Sequence, residues 1–336
     1  MATIHEVTTA RVFEIEDEGS RLWSVAWNRT GDILASSGDD KSVRIWKIID
    51  GGKQLECRTV LRSSHNRAIR CVNFSHSGKY LASAGFDAAV VIYELGEDGE
   101  FEETNKLEGH ESEVKCCAFS PSDNYLATCS RDKSVWFWQL DEDDDFSVSS
   151  ILQPHTGDVK FVVWHPKEDL LLSCSYDFSI RLYKFDGEDW VTSQHMPDAH
   201  GGTVWSAAFD GEGRRLVTVG EDHVVQLWTC TVDPEQGGVR TGKWQKSVKY
   251  TVEGTRWPLY TVSWNTVTGL IAVGGGDGRI RILRVEGGQG EETIQELSSY
   301  SGHDADVNCI SWHPTDHTLL SSCSDDGSIR LLSVDL

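Results

Sequence analysis

His110, Thr128, Asp132 and Trp138 are the residues of this sequence that most resemble working chemistry. A hydroxyl, an imidazole and a carboxylate together could supply a nucleophile, a general base and a group that orients the base. The spacing argues for a different use. Asp132 lies 22 residues after His110 and Trp138 lies 28 after it, and the set returns intact as His200, Thr218, Asp222 and Trp228. A catalytic constellation would occur once, whereas this one recurs, whole or in part, along the whole chain. The reading is therefore structural. The indole N–H donates to the hydroxyl, the hydroxyl to one ring nitrogen, and the other ring N–H to the carboxylate, so that every polar group is satisfied in a buried place.

The remaining chemical candidates are weaker. The nine cysteines are odd in number and lack a C-x-x-C pair or a Cys/His cluster at metal-ligand spacing. Cys116, Cys117, Cys129, Cys174 and Cys323 sit inside strand patterns, so buried reduced thiols are expected. The glycine-rich run at 274–278 lacks the helix and the Lys-Ser/Thr of a phosphate loop and reads as a tight turn. His165-Pro166 and His313-Pro314 read as turn chemistry after a first strand. No catalytic residue, cofactor or metal site is assigned.

Short strands must hold the recurring residues. Aligning on the hairpin Asp gives Asp40, Asp87, Asp132, Asp177, Asp222, Asp277 and Asp326, at intervals of 47, 45, 45, 45, 55 and 49 residues. Ser36, Ser83, Thr128, Ser173, Thr218, Val273 and Ser322 stand four residues before, and Trp46, Tyr93, Trp138, Tyr183, Trp228, Leu283 and Leu332 six residues after. Five repeats carry the preceding His, at His65, His110, His155, His200 and His303. Repeats of about 40–45 residues with a Gly-His turn and an aromatic strand end identify a WD40 β-propeller, here all-β and seven-bladed. First strands such as LWSVAW and VKCCAF are near-continuous apolar runs, as inner strands packed between blades require, while outer strands such as FSVSSIL and WQKSVKY are more polar.

An orphan strand at residues 8–15 precedes the first repeat and is expected to complete blade seven and close the ring, so that residues 1–336 form one domain. Blade six, with Val273 and no His before Trp257, and blade one, with Glu18 and Gly19 in place of Gly-His, are expected to be less constrained or specialised. The acidic or glycine-rich loops 141–145, 231–242 and 286–292 are expected to be solvated and mobile.

The formal charge is −22, from 53 acidic and 31 basic residues. That balance argues against direct nucleic-acid binding, which needs clustered Lys and Arg, and suits a soluble protein that discriminates through local patches. No apolar run reaches the roughly 20 residues of a membrane helix, and residues 1–20 lack the apolar core of a signal peptide, so no membrane partner is expected.

Two kinds of position are expected to face the top of the ring. One precedes the hairpin Asp and includes Phe86, Arg131 and Tyr176. The other follows the first core aliphatic of the inner strand and includes Trp23, Arg70, Lys115, Lys160, Trp205 and Tyr260. With Arg21 and Arg67 they predict a cationic, aromatic-lined surface on an acidic chain, suited to an acidic or carboxylate-ended peptide.

The stretches KLEGHESEVK, LATCSRDKSVWFW, HTGDVKFVVWHP, SHNRAIR and SAGFDA resemble the cytosolic iron–sulfur protein assembly WD-repeat family (Ciao1/Cia-one) across all seven blades. The resemblance implies a non-enzymatic scaffold of the cytosolic iron–sulfur targeting complex. Its implied partners are a HEAT-repeat adaptor, a small assembly factor and an iron-only hydrogenase-like carrier, with iron–sulfur apoprotein clients in cytosol and nucleus. It further implies a functional role for the Arg of the CSRDK turn, Arg131 here, and clients recognised through short acidic and aromatic C-terminal tails. Nothing suggests that the chain itself holds a cluster, which needs about four converging Cys ligands. A ubiquitin-ligase substrate receptor is the alternative, disfavoured because such propellers commonly carry W-D-x-R and this chain has no Trp-Asp dipeptide. A hydrolase using the central channel would need a unique metal or carboxylate cluster at its mouth, and none is evident.

Overall fold

β-branched and aromatic runs of six to nine residues, separated by Gly-, Asp- and Ser-rich turns, fold as the strands of seven four-stranded antiparallel sheets. The structure is a computed structural model that describes residues 2–12, 21–50, 54–62, 64–232, 238–239, 241–288 and 290–335. Blades one to six span 22–62, 69–108, 114–152, 159–196, 204–251 and 259–301, and blade seven joins 307–335 to the N-terminal strand. Each inner strand lies against the inner strands of both neighbours, and Val307–Trp312 of blade seven lies against Leu22–Trp27 of blade one, so the ring closes. The core sits between blades: Ala82, Val90 and Ile92 of blade two, for example, pack with Val114, Phe119 and Trp138 of blade three.

The closing strand is longer and earlier than the sequence suggests. Thr3–Arg11 pairs antiparallel with Ser328–Asp335, from Thr3 opposite Asp335 to Arg11 opposite Ser328, and Val12 adds one more backbone bond to Gly327 at 2.9 Å. The expected start at Thr8 missed Thr3–Val7, because HEV is too polar to read as half of a strand; its sheet-facing anchor is the buried Ile4. Residues 13–15 lie outside the described residues, as do Glu18 and Gly19.

Within each blade a hydrogen-bonded chain fixes the top hairpin. In blade three Trp138 Nε1 donates to Thr128 Oγ1 at 3.0 Å, Thr128 lies 2.8 Å from His110 Nε2, and His110 Nδ1 lies 2.8 Å from Asp132. Blade five repeats this through Trp228, Thr218, His200 and Asp222 at 3.0, 2.7 and 2.8 Å. Tyr93 and Tyr183 replace the indole in blades two and four, and blade seven keeps His303 between Ser322 and Asp326. Where the His is missing from the described residues, an Arg four residues beyond the hairpin Asp takes its carboxylate. Arg44 reaches Asp40 at 2.7 Å in blade one, and the buried Arg281 reaches Asp277 at 2.5 Å in blade six. Blades one and six are thus held by an Arg in place of the His and remain constrained.

The bottom face has its own ties between blades. His165 accepts the backbone N–H groups of Lys167 and Glu168 at Nδ1 and donates Nε2–H to Gly213 of blade five at 2.9 Å. His313 does the same with Thr315 and Asp316, reaching Gly31 of blade one at 2.8 Å. Gly213 has φ +68°, and a Cβ there would collide with the His165 ring. The loop 141–145 is also less free than expected: Lys79 and Tyr80 of blade two bind Asp144 at 2.7 and 2.8 Å. Loop 231–242 lies partly outside the described residues, but Val239 is buried against the Trp244 cluster.

Deleting residues 1–12 removes the strand that closes blade seven and is expected to lower the thermal midpoint by several degrees or abolish cooperative unfolding; a melt like the parent's would contradict ring closure. Acid is expected to destabilise the ring in two stages. Burial outweighs the Asp177 bond and holds His155 below its usual 6.5, and burial likewise lowers His165 and His313. Their neutral rings stabilise the fold fully above about pH 6.5, and that contribution drains away below it as the unfolded chain takes up protons first. Asp132, Asp177 and Asp326 are held well below their usual 3.8 because bonds from His and Ser outweigh burial, so a second loss follows under stronger acid. A melting temperature flat from pH 7.5 to 5 would contradict this.

Candidate partner-binding site at the mouth of the channel

Each inner strand carries a β-bulge at its second residue, and those seven residues form the mouth of the channel. The pairing register skips Trp23, Arg70, Lys115, Lys160, Trp205, Tyr260 and Asn308 in turn. A bulge leaves one residue unpaired and re-aims its side chain, so a residue that would face a neighbouring blade turns toward the axis. A second tier lies above. The hairpin residues Asp39, Phe86, Arg131, Tyr176, Glu221, Gly276 and Asp325 each donate a backbone N–H to the carbonyl just ahead of the inner strand, at 2.8–3.1 Å.

Arg21, Trp23, Arg70, Phe86, Lys115, Lys160, Trp205 and Tyr260 line one cavity of about 280 Å³ with Asp306, Asn308 and Asp325. Its cationic wall rests on aromatic faces. Lys115 Nζ lies 4.3 Å from the Phe86 ring centre, Lys160 Nζ 5.1 Å from Trp205 and 5.4 Å from Tyr176, and the Arg70 guanidinium 5.1 Å from Trp23. Trp205 and Tyr260 meet edge to face at 5.1 Å. Burial, abetted by the charges of Lys160 and Arg70 and opposed by Glu113, brings Lys115 down to about 8.

The surface is not uniformly cationic, as the sequence had led us to expect. Asp306 and Asp325 form an acidic wall across the mouth, both held above the usual carboxylate range by burial and, for Asp306, by the charge of Asp325. Asn308 donates to Asp325 at 2.6 Å, and burial together with Asp306 pushes Tyr260 up to about 12.

Three of the expected residues lie outside this cavity. Arg131 is exposed and 3.4 Å from Glu113; Arg67 shares that carboxylate at 3.5 Å, stacks 5.9 Å from Phe86 and donates to the Phe86 carbonyl at 2.7 Å. Tyr176 is 56% exposed beside Lys160. Burial alone would raise Glu113, but bonds from Ser112 and its own N–H with the charges of Lys115 and Arg131 bring it to about 2. Glu113 and Asp306 were missed because each precedes its inner strand, a place in the repeat whose backbone role hides the side chain.

Among the described residues no group of three or more His, Cys, Asp or Glu side chains is placed to hold a metal ion. All nine cysteines are free thiols; Cys57 is exposed, and Cys71 and Cys309 are half-buried. Leu182-Tyr183-Lys184 lies in the third strand of blade four, with Tyr183 fully buried on Ser173. Gly274 lies within a strand, where a Cβ would come within 2.7 Å of Val307 and 2.8 Å of Ile310. Its glycine admits the next blade rather than a phosphate.

Blades of this topology, latched by His, hydroxyl and hairpin Asp, define the WD-repeat propellers. The WD domain, G-beta repeat family matches residues 10–47, 55–94, 101–139, 146–184, 191–229 and 294–333, passing over the outer strand of blade five and the first three strands of blade six. The chain is 56% identical to the "Probable cytosolic iron-sulfur protein assembly protein CIAO1 homolog" of Caenorhabditis elegans over 329 residues, 96% of each chain. It is 47% identical over 319 residues to the Ciao1 protein of Culex quinquefasciatus, covering 93% of this chain and 94% of that one. A CIAO1 homolog of Chlamydomonas reinhardtii matches at 41% with the same coverage. The chain belongs to the CIAO1 family of WD-repeat proteins.

Lys115 is expected to titrate near pH 8, charged below and neutral above. Competitive acetylation read by mass spectrometry across pH 6–11 checks this, and a Lys115 midpoint near 10.5 would contradict the packing described.

Proposed function

We propose that this protein is a non-enzymatic scaffold of cytosolic iron–sulfur cluster assembly, and that it grips partner or client segments at the top of the ring. The observation that carries the reading is the channel mouth, where Arg70, Lys115 and Lys160 stand on aromatic faces inside a 280 Å³ cavity. Cations poised over aromatic rings favour an acidic or carboxylate-ended segment with an apolar side chain, and Arg and aromatic anchors commonly cost about 2 kcal/mol or more when truncated. The relatives are named for cytosolic iron–sulfur protein assembly, which supports the same pathway and compartment here. The partners the reading implies are a HEAT-repeat adaptor, a small assembly factor, an iron-only hydrogenase-like carrier and apoprotein clients reaching cytosol and nucleus.

Within this reading the tail occupies the mouth, its carboxylates against Arg70, Lys115 and Lys160, and Arg131 with Arg67 extends the contact over the rim of blades two and three. The acidic wall of Asp306 and Asp325 repels an anionic segment laid the other way round and so sets its orientation.

Affinity capture from cells is the test. Arg131→Glu is expected to lose iron–sulfur apoproteins with an unchanged melt, and Lys115→Glu with Lys160→Glu to weaken an acidic C-terminal peptide at least tenfold. The parent's affinity for that peptide is expected to fall between pH 7 and 9, as Lys115 loses its charge. Retained capture by both variants would overturn the proposal.

A further inference from the structure

Every outer strand, that of blade three included, has a register shift against its neighbour, and six of the seven add charged, polar or tied residues that keep a sheet edge from pairing with another chain. Gln54–Arg62 exposes Glu56, Arg58 and Arg62 around Val60, Phe101–Glu108 exposes Glu102, Glu103 and Lys106, and Lys243–Thr251 exposes three lysines. Thr3–Arg11 exposes His5, Glu6 and Arg11. Thr293–Ser301 exposes only polar side chains. Trp190–Met196 exposes no aliphatic residue and is tied to blade five by Gln194, which bonds both the N–H and the carbonyl of Trp244 at 3.0 and 2.7 Å.

Blade three is different. Its outer strand Phe146–Leu152, FSVSSIL, contains no charged or His residue, and Val148 and Ile151 are 46% and 50% exposed. Its one side-chain hydrogen bond to blade four among the described residues comes from the buried Ser150, which donates to Asp189, while Leu152 packs against the core shared with that blade. The loop 141–145 that leads into this strand is acidic and exposed; Asp144 is taken by Lys79 and Asp145 by Asn105, leaving Asp141, Glu142 and Asp143 without a cation among the described residues.

We propose that the outer edge of blade three is a second docking site, one that receives an extended segment of a partner protein as a fifth strand. Pairing runs antiparallel, continuing the blade, so the added strand ends beside the acidic loop. The occupant is therefore a run of alternating β-branched residues followed at its C-terminal end by Lys or Arg: main-chain bonds supply affinity, Val148 and Ile151 the apolar contact, and the acidic loop the direction. This chemistry is opposite to that of the channel mouth, so the two sites take different segments, and this proposal stands independently of the pathway reading above.

The test uses three fluorescein-labelled peptides on the full chain: a seven-residue Val/Thr alternation ending in three lysines, the same alternation with the lysines at its N-terminus, and the first peptide N-methylated along one edge. The first is expected to bind saturably and at least tenfold more tightly than the other two, and to protect amides of residues 146–152 from hydrogen exchange. Val148→Lys with Ile151→Lys, both exposed positions, is expected to weaken it at least tenfold without changing the melt, while Arg131→Glu leaves it unaltered. Absent saturable binding, equal binding of the N-methylated peptide, or indifference to the double variant would overturn the proposal. So would a concentration-dependent dimer of the chain alone that the double variant abolishes, because it would assign the edge to a second copy.

Discussion

The structure turns on one backbone irregularity repeated seven times. At the second residue of every inner strand the ladder slips by one, and the side chain that would have packed between blades points to the axis instead. The bulge separates two demands that a regular strand could not meet together. Residues on either side of it, such as Val114 and Cys116, stay in the core, while Lys115 between them is free to carry charge. A charge placed in the regular register would have to be buried between apolar blades, at a penalty of several kcal/mol.

The bulges hold their direction because the hairpins above them are locked. His, hydroxyl and Asp close each top turn in five blades, and Arg44 or Arg281 does so in the other two. The exchange of His for Arg keeps a side-chain N–H donor on the hairpin Asp but moves it to another strand; the family pattern passes over most of blade six while the blade itself remains whole, and it covers blade one, which makes the same exchange through Arg44. Every latch thus keeps the same two closures, a side-chain N–H on the hairpin Asp and the hairpin N–H on its carbonyl.

The spacing of 45–55 residues, the hairpin Asp and, in five blades, the strand-end aromatic made the seven blades legible in the amino-acid sequence, because each is a local pattern tied to a turn. The closing strand was legible only in part: Ala10 and Val12 fit a strand, but Thr3–Val7 takes its place through pairing with Ser328–Asp335, a contact more than 300 residues away in sequence. At the top face the residue types could be read but not their grouping. Arg131 and Tyr176 belong to the same alignment column as Phe86, yet of the three only Phe86 enters the cavity, while Arg131 turns to Glu113 and Tyr176 stays exposed. The acidic wall was hidden for a related reason: Asp306 precedes its strand, and Asp325 reads as one more turn residue until the ring brings it opposite Lys115 and Lys160.

The central claim is that seven bulged residues build a preformed mouth that grips an anionic protein segment. Backbone amide exchange of the full chain, with and without a short peptide ending in acidic and aromatic residues, tests it most directly. The account predicts that the top hairpins are protected in the free protein as well as the strands below them, and that the peptide adds protection only around residues 69–71, 114–116, 159–161 and the turns above. Added protection at the opposite end of the inner strands, where their last residues Trp27, Phe119 and Trp164 line a separate cavity, or top hairpins that become protected only with the peptide, would contradict it.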